Sequence, residues 1–412
     1  MKVALVEPYS HYPGHFPEEA KTLANALNGE GAAVTLLTSY PNPGVESGVV
    51  QETLYPCFDE SRDSVGHVEG SLLAKIRRFV NAFLGILSIR CVARACKVTG
   101  PGDAILLVSG HMFPIALCGA FCSRRVLLFV LRDFSRITHY RPPALVAALK
   151  KFCLWLAERR NVVHFISIVN PETADECLNL GRPSTYIPAV GVHQGVVKID
   201  RNKARQRLGL PVRPTMFLVF GVGHGGKDYP TVFEALQSVL GDAVVVFAGA
   251  SFLGDPSNDA DHLKQQFDVA QRVVIRNQFI SDDEVALYFS AADVLLLSYK
   301  AGNVVDSGIV RSGVEYSLPM LGSDGGSIGK TIESWSLGSC FRGGDPQSLA
   351  AAIDRFLILD EGMLNSFANG RASYSAAHSW PQVAGAHLAL YQRLNSELGL
   401  ARKSRQGSEK GN

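Results

Sequence analysis

Short, almost wholly apolar runs alternate with helical stretches along this chain, and they do so in two successive series. "KVALVEP" reads as a strand buried on both faces. The loop "YSHYPGHF" leads into "PEEAKTLANALNGEG", an amphipathic helix closed by glycine, and "AVTLLTS" follows as a second strand. A strand, a crossover helix and a second buried strand require a parallel sheet covered on both sides. "DAILLVSG", "VLLFVLRDF", "HFISIVN" and "TYIPAVGV" (Thr185 to Val192) extend the first series. "MFLVFG", "AVVVFAG", "RVVIRNQF", "DVLLLSY" and "PMLGSDGG" form the second. In "SDDEVALYFSAA", Ser281 and Glu284 have capping-box spacing ahead of a helix. At 412 residues the chain exceeds what one core supports, so two domains are expected. The polar, basic, proline-bearing stretch between the series suits a connector with one short helix. The expected organisation is a Rossmann-like domain over 1–193, a linker over 194–212, a second Rossmann-like domain over 213–380, a crossover helix over 381–400 and a disordered polar tail over 401–412.

The second series opens with "FGVGHGGKDYPTVFEAL" (Phe220 to Leu236), in which four glycines precede one lysine. Gly221, Gly223 and Gly226 satisfy the dinucleotide fingerprint, and Gly221, Gly226 and Lys227 satisfy a P-loop that lacks its final residue. Both templates let backbone N–H groups and a helix N-terminus approach an anion. A plain strand-to-helix turn is the alternative, and the lysine at the helix start favours an anion site. Neither template is complete. The next strand, Val244 to Ala250, ends without the carboxylate that grips a ribose. Asp228 stands where a magnesium-binding Ser or Thr belongs, and Asp293 starts its strand rather than ending it. A glycine loop and a lysine facing an anion remain.

Formal charge is +2, which implies no global affinity for nucleic acid. Its distribution is uneven: residues 73–190 hold sixteen Lys/Arg against six Asp/Glu, while residues 1–72 hold three against ten. The eight cysteines form no CxxC pair and no metal-ligand spacing, so free thiols in a reducing compartment are expected rather than disulfides. "MKVALVEPYS" is too short an apolar run for a signal peptide, and no run approaches the roughly 20 residues of a membrane span. A cytoplasmic protein is expected, with peripheral contact to the inner face of the cell membrane as an extension. That extension rests on residues 74–97, where basic residues flank an apolar run; a core helix with basic ends is the alternative reading.

The ordered set of motifs resembles the GT-B glycosyltransferases of family 4, the "glycosyl transferases group 1" type. Gly221 and Lys227 fit that family's strand–G-x(5)-K–helix. "DDEVALYFSAADVLLLSYK", "SGIVRSGVEYSLPMLGSDGGSIGKTI", "CFRGGDPQSLAAAI" and "HSWPQVAGAHLALYQRL" are similar to later family elements in the right order, and "PGHFPEEAKTLANAL" and "YIPAVGVH" fit more loosely. The resemblance covers nearly the whole chain. It implies an α/β fold of two Rossmann-like domains facing across a cleft (GT-B), with a C-terminal helix crossing back to the N-terminal domain. Departures are clear. His224 stands where arginine is usual, Lys330 where glutamate is common, and the two glutamates of E-x(7)-E are absent, their places falling on Ser312 and near Val304. Glu315, one helical turn beyond Ser312, and Asp306 are the available substitutes at ribose and sugar.

The resemblance implies transfer of a hexose from a UDP- or GDP-linked donor to a glycan or lipid-linked acceptor in polysaccharide or glycolipid assembly. It implies retention at the anomeric carbon and no metal or other cofactor, the nucleotide sugar being a co-substrate. Lys227, His224 and His111 are the catalytic candidates. Gly14, Gly221, Gly223, Asp306, Ser307, Gly308, Ser312 and Glu315 are the donor-binding candidates, with His15 and Arg132 on the acceptor side. Base recognition is expected from backbone around Arg276 to Phe279. For His224, His15 and His111 a locally bonded loop histidine is the alternative, and for Arg132 an ion pair with Asp133. A relative without activity, serving as a binding or assembly subunit, is the second function class. A nucleotide-dependent oxidoreductase is the third.

Overall fold

The computed structural model describes residues 1–8, 16–39, 41, 44–54, 76, 80, 88–108, 121–131, 144–168, 171–179, 181–188, 198–221, 223, 226–250, 258–300 and 308–409. The chain divides into two compact units, Met1–Val192 together with His378–Asn412, and His193–Ala377.

The first unit is a parallel sheet of β1 (Lys2–Glu7), β2 (Ala33–Thr38), β3 (Val50–Thr53), β4 (Ala104–Leu107), β5 (Val126–Leu131), β6 (Val162–Ser167) and β7 (Ser184–Tyr186), in the order β3-β2-β1-β4-β5-β6-β7. Among the described residues its helices are α1 (Phe16–Gly29), α2 (Ser88–Val98), α3 (Ala144–Arg160) and α4 (Pro171–Asn179). The second unit is a parallel sheet of β8 (Thr215–Phe220), β9 (Ala243–Ala248), β10 (Val273–Arg276), β11 (Val294–Leu297), β12 (Met320–Ser323) and β13 (Gly338–Phe341), ordered β10-β9-β8-β11-β12-β13. Around it stand α5 (Arg201–Leu208), α6 (Tyr229–Leu236), α7 (Ala260–Gln266), α8 (Asp282–Ala291), α9 (Gly308–Glu315), α10 (Gly326–Trp335), α11 (Pro346–Leu357) and α12 (Glu361–Ala377). The chain then returns to the first unit as α13 (Trp380–Glu409). The α/β class and the pair of parallel sheets are as the apolar runs predict.

Side chains alternate across each strand, so one apolar run feeds two cores. Val3 and Leu5 pack with Leu23 and Leu27 of α1 and with Trp380 and Tyr391 of α13. Ala4 and Val6 face the other way, into a cluster with Cys91 and Val92 of α2 and Leu154 and Ala157 of α3. The second sheet does the same: Met216 and Leu218 join one cluster, Phe217 and Val219 the other. Each such Val, Leu or Phe contributes about 1.5–3 kcal/mol by leaving water, which explains why apolar residues dominate the central strands.

The short connector helix α5 is held on the second unit by one buried side chain. Arg205 is fully buried; its guanidinium donates to the carbonyls of Ala291, Val212 and Pro214 and to Asp293 Oδ2, at 2.6–3.0 Å. Asp293 also accepts from Arg201 Nε and from the Met216 amide. It therefore works as an ion-pair anchor at the amino end of β11, away from the edge where ligands bind such sheets. The expected capping box forms: the Ser281 amide and Oγ both donate to Glu284 ahead of α8.

Two expectations are corrected. Cys96 and Cys122 form a disulfide rather than free thiols. The end of α2 and the residues ahead of β5 bring their Cα atoms within 5.6 Å, a proximity that a separation of 26 residues conceals. Cys91, Cys153, Cys177 and Cys340 are not disulfide-bonded. The disordered tail from 401 is also corrected, because α13 continues to Glu409. Leu400, Ala401, Arg402 and Lys403 are strong helix formers, so a polar sequence here extends the helix rather than ending it. The strand expected over Thr185–Val192 is described as Ser184–Tyr186. Of the basic segment 74–97, the described part of α2 packs inward through Cys91, Val92 and Ala95, and Arg94 makes a two-pronged ion pair with Glu52 at 2.7 and 2.8 Å. Among the described residues no helix is long and apolar enough to cross a membrane.

Candidate functional site

In the second sheet the strand order reverses between β8 and β11, and parallel α/β sheets hold their ligands in the crevice beyond the carboxyl ends at such a point. The glycine loop leaves β8 at this point. Gly221 has φ +94°, and a Cβ there would lie 3.1 Å from Ile309 in the first turn of α9. Gly249, at the end of β9, has φ +146°, and a Cβ there would lie 2.3 Å from the Gly221 carbonyl oxygen. Only glycine satisfies both demands, so the ends of β8 and β9 touch backbone to backbone. The amides of Gly221 and Gly223 donate to the carbonyls of Ala248 and Ala250 at 2.9 Å each.

The far end of the loop is stitched across the crevice. Lys227 forms a bridge with Tyr299, just beyond β11, while the Asp228 amide donates to Ser298 and the Lys300 amide to Gly226. Asn258 clamps the same corner from the α7 side. Its Nδ2 donates to the Lys227 carbonyl and its Oδ1 accepts from the Tyr229 amide, both at 2.9 Å. Asp228 caps α6, accepting from the amide and hydroxyl of Thr231. The residue that spoils the P-loop match thus starts the helix instead. Asn258 and Ser298 gave no signal in the sequence because each acts through a backbone partner distant along the chain.

These bonds fix Lys227. The residue is 3% exposed, and its Nζ donates to the carbonyls of Phe220 at 2.7 Å and Gly221 at 3.1 Å. Burial pulls its pKa from the ordinary lysine range down to about 7. An ammonium carries three N–H donors. Two are committed to the Phe220 and Gly221 carbonyls, so protonation leaves one for an anion's oxygen, whereas the neutral amine offers its lone pair in that place.

Other candidates fall as follows. Gly308 begins α9, whose first turn abuts Gly221. Ser312 turns its hydroxyl back toward the Gly308 carbonyl at 3.4 Å. Glu315 ends α9 and is half-buried; its Oε2 is buried without a hydrogen-bond partner, and burial raises its pKa to about 7 against the pull of Arg311. The Arg276–Phe279 stretch is tied into the same edge, since the Gly249 amide donates to the Arg276 carbonyl, and Phe279 is exposed. The structure therefore brings Gly221, Gly223, Lys227 and Gly308 to one corner and places Glu315 at the opposite end of α9. His224, His111, Gly14, His15, Arg132, Asp306 and Ser307 lie outside the described residues. Among those described, no group of three His, Cys, Asp or Glu side chains is placed to hold a metal ion.

No family model matches the chain, and no curated protein matches its sequence. Solved structures do match its fold. Sucrose-phosphate synthase (tll1590) from Thermosynechococcus elongatus aligns at a TM-score of 0.61 with 17% identity, over 96% of this chain and 100% of that one. Anabaena Alr3699/HepE in complex with UDP and glucose aligns at 0.60 with 15% identity, over 95% and 100%. WaaG, a glycosyltransferase involved in lipopolysaccharide biosynthesis, aligns at 0.59 with 12% identity, over 94% and 99%. The chain has the fold of these proteins along essentially its full length.

Proposed function

We propose that the protein is a glycosyltransferase that moves a hexose from a UDP- or GDP-linked donor to a glycan or lipid-linked acceptor in polysaccharide or glycolipid assembly. The observation that carries the proposal is the anchoring of Lys227 at the switch point of the second sheet, in a fold whose relatives include a protein solved with UDP and glucose. Breaking the bond between sugar and diphosphate builds negative charge on the departing phosphate oxygen. Groups preorganised toward that charge supply most of the rate. In this reading Lys227 gives its remaining N–H to a diphosphate oxygen, and the anion in turn keeps the amine protonated. The first turn of α9 adds the positive end of a helix. His224 and His111 assist from the loops after β8 and β4, and Gly14 and His15 border the substrates from the loop after β1. Asp306 and Ser307 meet the sugar and its phosphates, while Arg132 meets the acceptor. The buried, unpaired Oε2 of Glu315 is offered to a ribose hydroxyl. No metal or other cofactor takes part, and the configuration at the anomeric carbon is retained.

A catalytically inactive relative that binds or assembles is the second reading. Its support is that Ser312 occupies a glutamate's place and spends its hydroxyl on its own helix. Thermal-shift titration with UDP, GDP, ADP and NADH separates the readings. The transferase reading expects stabilisation by one nucleoside diphosphate, lost in Lys227→Ala, together with sugar release from a donor panel. A Lys227-dependent shift without turnover on any donor marks the inactive relative, and stabilisation by NADH alone refutes both.

A further inference from the structure

Helix α3 carries an apolar patch on its outward side that the transferase reading does not use. Its inner side is core: Leu154 and Ala157 are buried beneath the first sheet. Ala148, Phe152, Trp155 and Arg159 recur at helical spacing on the outward side, and all four are exposed. Phe152 is 55% and Trp155 45% exposed, figures far above those of core aromatics such as Phe129 and Phe165. The two rings stack with centroids 5.6 Å apart, and the Arg159 guanidinium lies 4.3 Å from the Trp155 centroid. The sequence of α3 holds four basic residues against a single acid, Glu158, and that acid is paired with Arg182 at 3.3 Å.

We infer that the outward face of α3 docks on an anionic lipid bilayer surface. Two observations select that occupant. The first is size. Fully covered aromatic rings bury about 150–250 Å² each, so two half-exposed rings offer on the order of 200 Å², well short of the roughly 800 Å² per partner of a stable protein interface. A bilayer interface needs only a few side chains inserted to the level of the headgroups. The second is charge. Tryptophan with arginine over its ring suits the depth at which apolar chains give way to phosphates, and the four basic residues of α3 against one paired acid favour anionic lipid. The surface differs from the basic segment 74–97, whose described helix faces inward. The inference does not rest on the transferase reading.

The full chain carries its own probe. Its tryptophans are Trp155, Trp335 and Trp380; Trp380 is buried and Trp335 packs edge-on against Tyr374, so Trp155 is the most exposed of the three. The test is co-sedimentation and tryptophan emission with vesicles of phosphatidylcholine alone or mixed with phosphatidylglycerol. The expected result is binding to mixed vesicles, a blue shift of emission, quenching by brominated lipid and weakening by salt. Binding falls at least about tenfold in F152S/W155S, each lost ring being a large share of the inserted area. R159E/R160E loses the preference for phosphatidylglycerol, and it serves alone if the first variant misfolds. Equal affinity for neutral vesicles, no binding by the folded protein, or wild-type binding by a folded variant overturns the inference. So does a blue shift that grows with protein concentration without lipid, which would mark contact between copies. None of these readouts needs a nucleotide.

Discussion

The two sheets share one strand order through their first six strands, with the reversal between the first strand and the fourth in each, yet the two reversal points are furnished differently. In the second unit, β8 is followed by glycines and a lysine whose side-chain nitrogen is held by backbone carbonyls. In the first, β1 ends in Glu7 and the adjacent β2 in Thr38, both fully buried. One topology thus carries a lysine held by backbone carbonyls in one half and a buried carboxylate in the other. Topology says where a ligand sits, and only the residues there say what it is.

The comparison is broken most sharply at Lys227. Lys227→Ala is expected to lower sugar transfer by roughly 10²–10³-fold, the usual cost of removing a preorganised group from developing charge. The protein stays folded, because the side chain anchors no apolar core. Steady-state kinetics on a donor that the wild type accepts checks this. A loss under tenfold would shift the anion site elsewhere.

The next largest effect belongs to the first unit. Breaking Cys96–Cys122, in C96S/C122S or by reduction, is expected to cost that unit about 2–4 kcal/mol while the second unit melts as before. Calorimetry resolving two transitions tests it, and movement of both or neither contradicts it. A third test turns on glycines. Gly249→Ala places a Cβ against the Gly221 carbonyl at strained φ and is expected to cost about 1–3 kcal/mol. Gly181→Ala in the first unit, also at positive φ but with nothing within 4 Å, pays for backbone strain alone and should be milder.

Much of the sheet order was legible because central strands buried on both faces must be apolar throughout. β1, β5, β8, β9 and β11 show this, and the capping box at Ser281 is local chemistry of the same clarity. The edge strands β3 ("VQET") and β13 ("GSCF") were not legible, since an edge is half-solvated and need not be apolar. The disulfide, the Asn258 clamp and the Arg205 anchor escaped for another reason: each joins positions far apart in the chain. At the candidate site, the glycine spacing and Lys227 were readable, whereas the inward turn of the lysine was not. That orientation depends on where β8 ends relative to β11.

A separate effect is a pH dependence. Lys227 titrates near 7 when folded and near 10.5 when free, so the unfolded chain holds a proton that the folded one lacks between those values. Its burial penalty is therefore fully present below pH 7 and fades as pH rises toward 10.5. Lys227→Met is expected to stabilise the protein most at or below pH 7, with no gain near pH 10.5; urea melts across that range decide it.

The most direct measurement follows the lysine itself. With the Lys227 side chain isotopically labelled, its pH titration is recorded by NMR with and without saturating nucleoside diphosphate. A midpoint near 7 in the free protein that climbs by at least about one unit on binding, the equivalent of 1.4 kcal/mol of attraction, is what a lysine neutralising a diphosphate must show. A nucleotide that binds and leaves the midpoint where it was would contradict the account.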